Sequence, residues 1–143
     1  LQNQIRTRVC LDESVKSPRD FLQALEVGAC RVVNVKPGRV GGWRNAVEIH
    51  NLAVDAGIEA WVGGMLESGV GAGICAALGT LPGFTYPADV FPSSRFYTED
   101  ITHRPVEQNA NCQVVLDDTP GVGFDPVSER LDKVTVERAE IRS

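Results

Sequence analysis

The sequence predicts an α/β fold in which parallel strands alternate with helices. Three short apolar segments between Val9 and Val62 each lead through a polar or glycine-containing loop into a helical segment. This strand–loop–helix repeat indicates parallel strands that are joined by crossover helices. The strands are apolar along almost their whole length, which is typical of a sheet covered on both faces. The repeat suits either a (β/α) barrel or a doubly wound sheet.

Each of the three predicted strands is short and ends where the polarity or the turn propensity of the sequence changes. They span Val9–Leu11, Arg31–Lys36 and Ile58–Val62. The polar residues Asp12–Ser14 follow the first strand, Pro37 breaks the second, and Gly63 begins a turn after the third. Short apolar or β-branched runs between such breakers are the sequence signature of strands.

The three predicted helices are identified by their start and stop residues. Ser17 supplies a capping hydroxyl and Pro18 occupies the first helical position, so a helix begins there and ends at Gly28. A second helix runs from about Trp43 to Ala56, with apolar residues along one face. A third helix, rich in small residues, covers Val70–Leu78.

The regular alternation stops after Phe84, and the remaining chain has a different character. Asp89–Asp100 is irregular and contains prolines and serines. Beyond it we predict a strand at Val114–Leu116 and a last strand at Val134–Ile141. This tail therefore belongs to something other than the strand–helix repeat.

Composition and charge exclude several classes of partner. The hydrophobic fraction of 43% and the charged fraction of 23% are ordinary for a globular protein. A net charge of −5 and a pI near 5.0 argue against binding to nucleic acid or to an anionic membrane surface. No apolar stretch approaches the roughly 20 residues that span a bilayer. We therefore expect neither a nucleic-acid nor a membrane partner.

The four cysteines, Cys10, Cys30, Cys75 and Cys112, are widely separated and include no C-x-x-C pair. A zinc site usually takes its ligands in close pairs, and a chain of this size needs no disulfides to form a core. We therefore predict four reduced thiols. Residues 1–6 lack the apolar core of a signal peptide, so we predict a cytoplasmic location.

Polar residues and glycines follow the predicted strands at their carboxyl ends, where parallel α/β folds place their active sites. Asp12 follows the first strand, Lys36 ends the second, and a glycine-rich loop at 63–71 follows the third. A carboxylate there can hold Mg²⁺, and a lysine that faces a cation gives up its proton more readily and can act as a base. Glycines let backbone N–H groups approach an anion. The pattern predicts a barrel enzyme that acts on a carboxylate substrate.

Other polar residues have simpler structural explanations. We expect Arg39 to hold its loop rather than face a substrate, and His50 to pack on its helix. Glu67 and Ser68 are either a helix cap or part of the site, and the sequence leaves both readings open. A nucleotide-binding sheet is a weak alternative, because G-x-G-x-x-G with a later acidic partner is absent.

Three sequence motifs, in the same order along the chain, resemble one enzyme group. The motifs VCLDES, NVKPGRVGG and WVGGMLESGVGAG are similar to those of the o-succinylbenzoate synthase and N-acylamino acid racemase group of the enolase superfamily. The segments LPGF, SSRFYTEDI and PGVGF extend the resemblance over almost the whole chain. It implies the C-terminal half of a (β/α) TIM-like barrel at residues 1–88. It also implies that residues 89–143 contribute to barrel closure and return toward a capping domain.

The resemblance assigns roles to three residues near the strand ends. Asp12 resembles the third metal-binding carboxylate of the group, with Mg²⁺ as the cofactor and Mn²⁺ as a substitute. Lys36 resembles the second catalytic lysine. Glu13 directly follows the metal ligand and in a strand would point away from Asp12, so we expect it to support that ligand indirectly at most.

Further residues resemble the substrate-binding positions of the group. Asn34 lies two residues before Lys36, on the same strand face, and resembles a polar group on the substrate side. The last-strand segment that contacts the substrate corresponds to Gly64, Met65 and Leu66.

The implied activity is a magnesium-dependent lyase reaction that forms o-succinylbenzoate, a step toward menaquinone, from a small carboxylate substrate. N-acylamino acid (N-succinylamino acid) racemase activity is the first alternative. The K-x-K motif and the other metal ligands of the group would lie upstream of Leu1, so we expect the N-terminal part of the same enzyme as a partner. An inactive fragment or one piece of a split barrel is a further alternative, and a homo-oligomer is left open.

Overall fold

The computed structural model describes residues 1–141, which form three strands and five helices. In chain order these are β1 Cys10–Leu11, α1 Pro18–Glu26, β2 Val32–Val35, α2 Pro37–Val40, α3 Trp43–Asp55, β3 Glu59–Val62, α4 Gly69–Leu78 and α5 Ser128–Val134. Two 3₁₀ turns lie at Gln2–Gln4 and Ser93–Arg95. None of the helices in this described part is long and apolar enough to cross a membrane.

The three strands form one parallel sheet in the order β1-β2-β3, as the strand–helix repeat predicts. Cys10 lies opposite Val32, and Asn34 lies opposite Trp61. Parallel neighbours in sequence order require crossover connections, which α1 and the α2–α3 pair supply.

One face of the sheet carries the hydrophobic core, and the helices cover it. Val33 and Val35 of β2 and Ala60 of β3 are 0% exposed and belong to the same cluster as Phe21 of α1 and Ile49 of α3. The alternate residues of the strands point to the opposite face, which no helix of residues 1–141 covers. Val32 and Asn34 on that face are nevertheless only 5% and 1% exposed, so the central strand β2 is buried on both faces, as its sequence predicts.

Helix α1 begins and ends as its sequence predicts. The Ser17 side chain accepts a hydrogen bond from the Asp20 N–H at 3.2 Å, and Pro18 is the first helical residue. Gly28 follows the helix with φ of +58°, a left-handed conformation that favours glycine.

Helix α2 was not predicted. Pro37 begins this single turn, which ends at Gly41 with φ of +87°.

Both strands predicted in the tail are wrong. Val114 makes only an isolated antiparallel bridge to Gln108, and Val115 is 71% exposed. Val134 is the last residue of α5, and Val136 is fully exposed. A segment with strand propensity forms a strand only when a neighbouring strand pairs with it. Neither segment has such a neighbour among the described residues. The boundary at residue 88 between the barrel part and the tail stays a prediction.

All four cysteines are free thiols, in agreement with the prediction. Cys30 and Cys75 are buried, and burial raises the pKa of both thiols, that of Cys75 to about 12. His50 is also buried, and its Nε2 lies 2.7 Å from the Pro82 carbonyl oxygen, as expected for a packed histidine.

Candidate functional site

The structure brings Asp12 and Lys36 together at the carboxyl end of the sheet. The Lys36 Nζ lies 3.0 Å from Asp12 Oδ2. The two side chains are only 20% and 28% exposed, respectively, so water screens this ion pair less than a surface pair. The sequence predicted this proximity, because parallel strands end at the same edge of a sheet.

Asn34 completes the cluster from the face of β2 opposite the helices. Its Nδ2 donates a hydrogen bond to Asp12 Oδ2 at 3.0 Å. The side chain is 1% exposed, yet its Oδ1 has no hydrogen-bond partner in the described structure. A buried acceptor without a partner is costly and is uncommon in folded proteins, so this atom marks the site rather than the core.

Arg39 holds the same carboxylate from the α2 turn. Its guanidinium pairs with Asp12 Oδ1, and its Nε donates to the Val15 carbonyl oxygen at 2.9 Å. A further N–H donates to the Asn34 carbonyl oxygen. Burial lowers the pKa of Arg39 from its usual value. Arg39 therefore ties the loops after β1 and β2 together, which is the structural role predicted for it, although its contact with Asp12 was not foreseen.

The glycines after β3 are required by close packing against this cluster. A Cβ at Gly63 would lie 2.8 Å from both Asn34 Nδ2 and Lys36 Cε, with Asn34 Oδ1 nearer still. A Cβ at Gly64 would lie 2.6 Å from the Asp89 carbonyl oxygen, which accepts the Gly64 N–H at 2.7 Å. Residues without side chains are therefore needed where the chain passes over the site.

A cavity of about 540 Å³ opens beside Lys36 and contains the predicted substrate segment. Its lining consists of Lys36, Gly38, Gly64, Met65, Leu66 and Glu67. Met65 and Leu66 are 51% and 68% exposed, so they offer apolar surface to a ligand. A larger cavity of about 630 Å³ lies between α4 and the tail, but no charged side chain lines it. The charged groups of Lys36 and Glu67 therefore favour the cavity beside Lys36 as the substrate site.

Two other positions singled out in the sequence, Glu13 and Ser68, lie near the strand ends. Glu13 is exposed and lies outside the hydrogen-bonded cluster around Asp12. Ser68 is the N-cap residue of α4, but its side chain makes no capping hydrogen bond. Asp100 instead accepts the Gly69 N–H at 2.8 Å. No local signal in the sequence points to a cap from a residue so far along the chain.

The described residues do not by themselves form the predicted magnesium site. Among residues 1–141, no three His, Cys, Asp or Glu side chains are arranged to hold a metal ion. Mg²⁺ requires near-octahedral oxygen ligands, and Asp12 supplies at most part of such a set. Arg39, Asn34 and Lys36 already contact both of its carboxylate oxygens.

Comparison with known proteins places the chain in a family. Residues 1–130 match the family described as enolase C-terminal domain-like. The chain belongs to that family. Its placement there, together with the parallel sheet, confirms the predicted fold as the C-terminal part of a TIM-like barrel.

Individual members of the enolase C-terminal domain-like family are also similar. An N-succinylamino acid racemase of Amycolatopsis sp is 43% identical over 100% of this chain and 38% of its own length. An o-succinylbenzoate synthase of Geobacillus stearothermophilus is 41% identical over 94% of this chain and 36% of its own length. The crystal structure of an enolase superfamily member from Listeria innocua has a TM-score of 0.83 at 38% identity, covering 92% of this chain and 35% of that one. The chain thus spans little more than a third of these relatives.

Proposed function

We propose that the protein carrying this chain forms o-succinylbenzoate by a dehydration: the proton next to a carboxylate is removed, the hydroxyl group on the neighbouring carbon leaves, and the two are released as water. The observation that carries the proposal is the contact of Lys36 with Asp12 beside the buried Asn34, at the carboxyl end of a parallel sheet. A lysine at this edge, beside a carboxylate, suits chemistry in which an α-proton is removed and the resulting anion is stabilised. A similar protein of Geobacillus stearothermophilus bears the name of this synthase.

The second candidate is racemisation of an N-succinylamino acid. The Amycolatopsis sp relative that bears this name is similar along the whole chain. Both reactions begin with loss of the α-proton, so the same residues serve both. In racemisation Lys36 would exchange base and acid roles with a lysine on the opposite side of the substrate, outside this chain. In the synthase reaction the Lys36 ammonium would instead stabilise the anion as a cation.

Asp12 is the residue of this chain that we propose as a metal ligand. Mg²⁺, with Mn²⁺ as a substitute, would when bound hold the substrate carboxylate and stabilise the negative charge that develops. The N-terminal part of the same enzyme would supply the further carboxylates and the other lysine. Arg39 keeps Asp12 in place, since it anchors the carboxylate from the side opposite Lys36. A cytoplasmic location remains a prediction.

The substrate would lie in the cavity beside Lys36. Met65 and Leu66 would contact its apolar part, and Gly64 lets the backbone approach it. The unpartnered Asn34 Oδ1 lies beside Gly63 and next to Lys36, which suits a polar group on the substrate side.

The test measures both reactions with the full-length polypeptide that carries this sequence. Lys36→Ala should lower racemisation by about 10²- to 10⁴-fold, because it removes a general acid–base group. Lys36→Arg keeps the charge but cannot supply a base, so it should retain more synthase than racemase activity. Lys16→Ala, which removes an exposed lysine, is the matched control.

Three results would contradict the proposal. Absence of both activities in the wild-type protein would refute the reaction class. Full racemase activity in Lys36→Ala would refute the role of Lys36. Equal loss in Lys16→Ala would show that the effect is not specific to the site.

A further inference from the structure

The loop Gly63–Ser68, here called the glycine loop, carries the proposed substrate contacts and leads directly into α4. A helix beginning at Gly69 leaves N–H groups without partners inside the helix. Ser68 occupies the N-cap position but its side chain makes no capping bond. The end of the glycine loop is therefore not secured by its own residues.

Asp100 of the tail supplies the missing cap. Its Oδ2 accepts the Gly69 N–H at 2.8 Å, and its Oδ1 accepts the Thr102 N–H at 2.8 Å and the Thr102 hydroxyl at 2.9 Å. Burial acts to raise the pKa of Asp100, but hydrogen bonds to the carboxylate outweigh it, so the pKa lies below the usual value. The charged form of Asp100 is thus the one that the structure stabilises.

Asp100 is itself held firmly. Arg130 of α5 donates hydrogen bonds to the Asp100 carbonyl oxygen at 3.0 Å and to the Thr102 carbonyl oxygen at 2.7 Å. A Cβ at Gly69 would collide with Thr102 Oγ1 and lie 3.2 Å from Asp100 Oδ1. This tight fit leaves the loop end little freedom relative to the tail.

Two further contacts join the tail to the glycine loop. The Tyr97 hydroxyl donates a hydrogen bond to the Leu66 carbonyl oxygen at 2.6 Å. The Gly64 N–H donates to the Asp89 carbonyl oxygen at 2.7 Å. The loop is therefore held at its start, its middle and its end by one tail segment, whereas the Lys36–Asp12 pair makes none of these bonds.

We propose that Asp100 and Tyr97 are positioning residues that hold the glycine loop in the conformation that binds substrate. The inference rests on the proposed function, because it assigns Gly64, Met65 and Leu66 to substrate contact. Loosening the loop should weaken substrate binding while leaving Lys36 and Asp12 in place. The Michaelis constant should therefore rise more than the turnover number falls.

The test compares Asp100→Ala, Asp100→Asn and Tyr97→Phe with Asp117→Ala in the full-length polypeptide. Asp117 is a tail carboxylate that accepts the Thr119 N–H and pairs with Arg104. The variant Asp117→Ala therefore loses similar bonds at a position away from the glycine loop. Asp100→Ala should raise KM about tenfold, the usual effect of losing a hydrogen bond to a charged group, with kcat changed less than threefold. Asp100→Asn, which keeps one acceptor oxygen, should recover part of this loss. Tyr97→Phe should raise KM by a smaller factor.

Amide hydrogen exchange of residues 64–69 gives a second measurement that does not depend on catalysis. Faster exchange in Asp100→Ala and Tyr97→Phe than in Asp117→Ala, together with the KM increase, supports the proposal. Unchanged KM, or a loss confined to kcat, overturns it. If the wild-type protein has neither activity, the proposed function fails, and equal loop exchange in all variants would then overturn the positioning role separately. Tyr97→Phe removes only a hydroxyl, so it keeps the test open if Asp100→Ala does not fold.

Discussion

At the scale of single residues, one carboxylate organises the site. Asp12 accepts Lys36 and Asn34 on Oδ2 and pairs with Arg39 through Oδ1, so three side chains of the β2–α2 segment converge on one carboxylate. Such a shared acceptor keeps the amine of Lys36 at a defined position before any substrate binds. This arrangement also explains why the residues packed against it can be no larger than glycine.

Gly63→Ala should destabilise the protein and reduce its activity. The added Cβ would lie 2.8 Å from Asn34 Nδ2 and from Lys36 Cε, so these side chains must move. Overpacking of this kind costs about 1–3 kcal/mol of unfolding free energy. Gly38→Ala is the control, because its Cβ would make only ordinary contacts at 3.7 Å or more. Denaturant unfolding of both variants tests this, and equal stabilities would contradict it.

Asp100 should make stability depend on pH in the acid range. Its pKa is lowered in the folded state, so the folded protein favours the charged carboxylate. Its contribution to stability is therefore present above the unfolded pKa of about 3.9 and is lost as pH falls through the lower folded value. The unfolding free energy of the wild type should exceed that of Asp100→Asn near neutrality, and the difference should shrink below about pH 4. A difference that grows on acidification would refute the direction.

At the scale of elements, two serines at helix starts should behave differently. Ser17 caps α1 through its hydroxyl, whereas Ser68 occupies the same position at α4 without a capping bond. Ser17→Ala should therefore lower the unfolding free energy by about 1 kcal/mol, and Ser68→Ala by clearly less. Thermal or denaturant unfolding distinguishes them, and a larger loss for Ser68→Ala would show that the cap assignments are reversed.

Elements were predictable where local chemistry decides them. β2 follows from its β-branched residues, and α1 from the Ser17–Pro18 pair. The turn α2 was missed because Pro37 ends a strand and begins a helix equally well. The tail strands were wrong because Val115 and Val136 have strand propensity without a partner strand.

The candidate site, too, was predictable only where local sequence decides it. The meeting of Asp12 and Lys36 follows from strand ends in a parallel sheet, whereas the role proposed for Gly64–Leu66 rests on resemblance to known motifs. Asp100 could not be found from the sequence, because its contact with Gly69 exists only after the tail has packed on α4. Contacts between distant segments leave no periodic or local signal.

At the scale of the whole molecule, other segments lie beside both outer strands of the sheet, but one face has no covering helix. The Gln2 side chain accepts the Val9 N–H at 2.7 Å and donates to the Thr7 carbonyl oxygen at 3.1 Å, which satisfies backbone groups beside β1. On the other side, isolated parallel bridges join Ala60 to Phe84 and Gly63 to Asp89. The face that carries Cys10, Asn34 and Trp61 remains without a covering helix among residues 1–141.

The 143-residue chain, isolated alone, should therefore associate through this open face. Trp61 lies on that face, where its indole N–H is 3.4 Å from Cys10 Sγ. Replacing this large apolar side chain with a charged lysine should oppose association. Light scattering should give a mass above 15.5 kDa for the wild-type chain and a lower mass for Trp61→Lys. Trp43→Lys, which changes a 44% exposed tryptophan at the start of α3, is the matched control and should leave association unchanged. A folded monomer of 15.5 kDa, or equal effects of the two lysine variants, would show that the open face does not drive association.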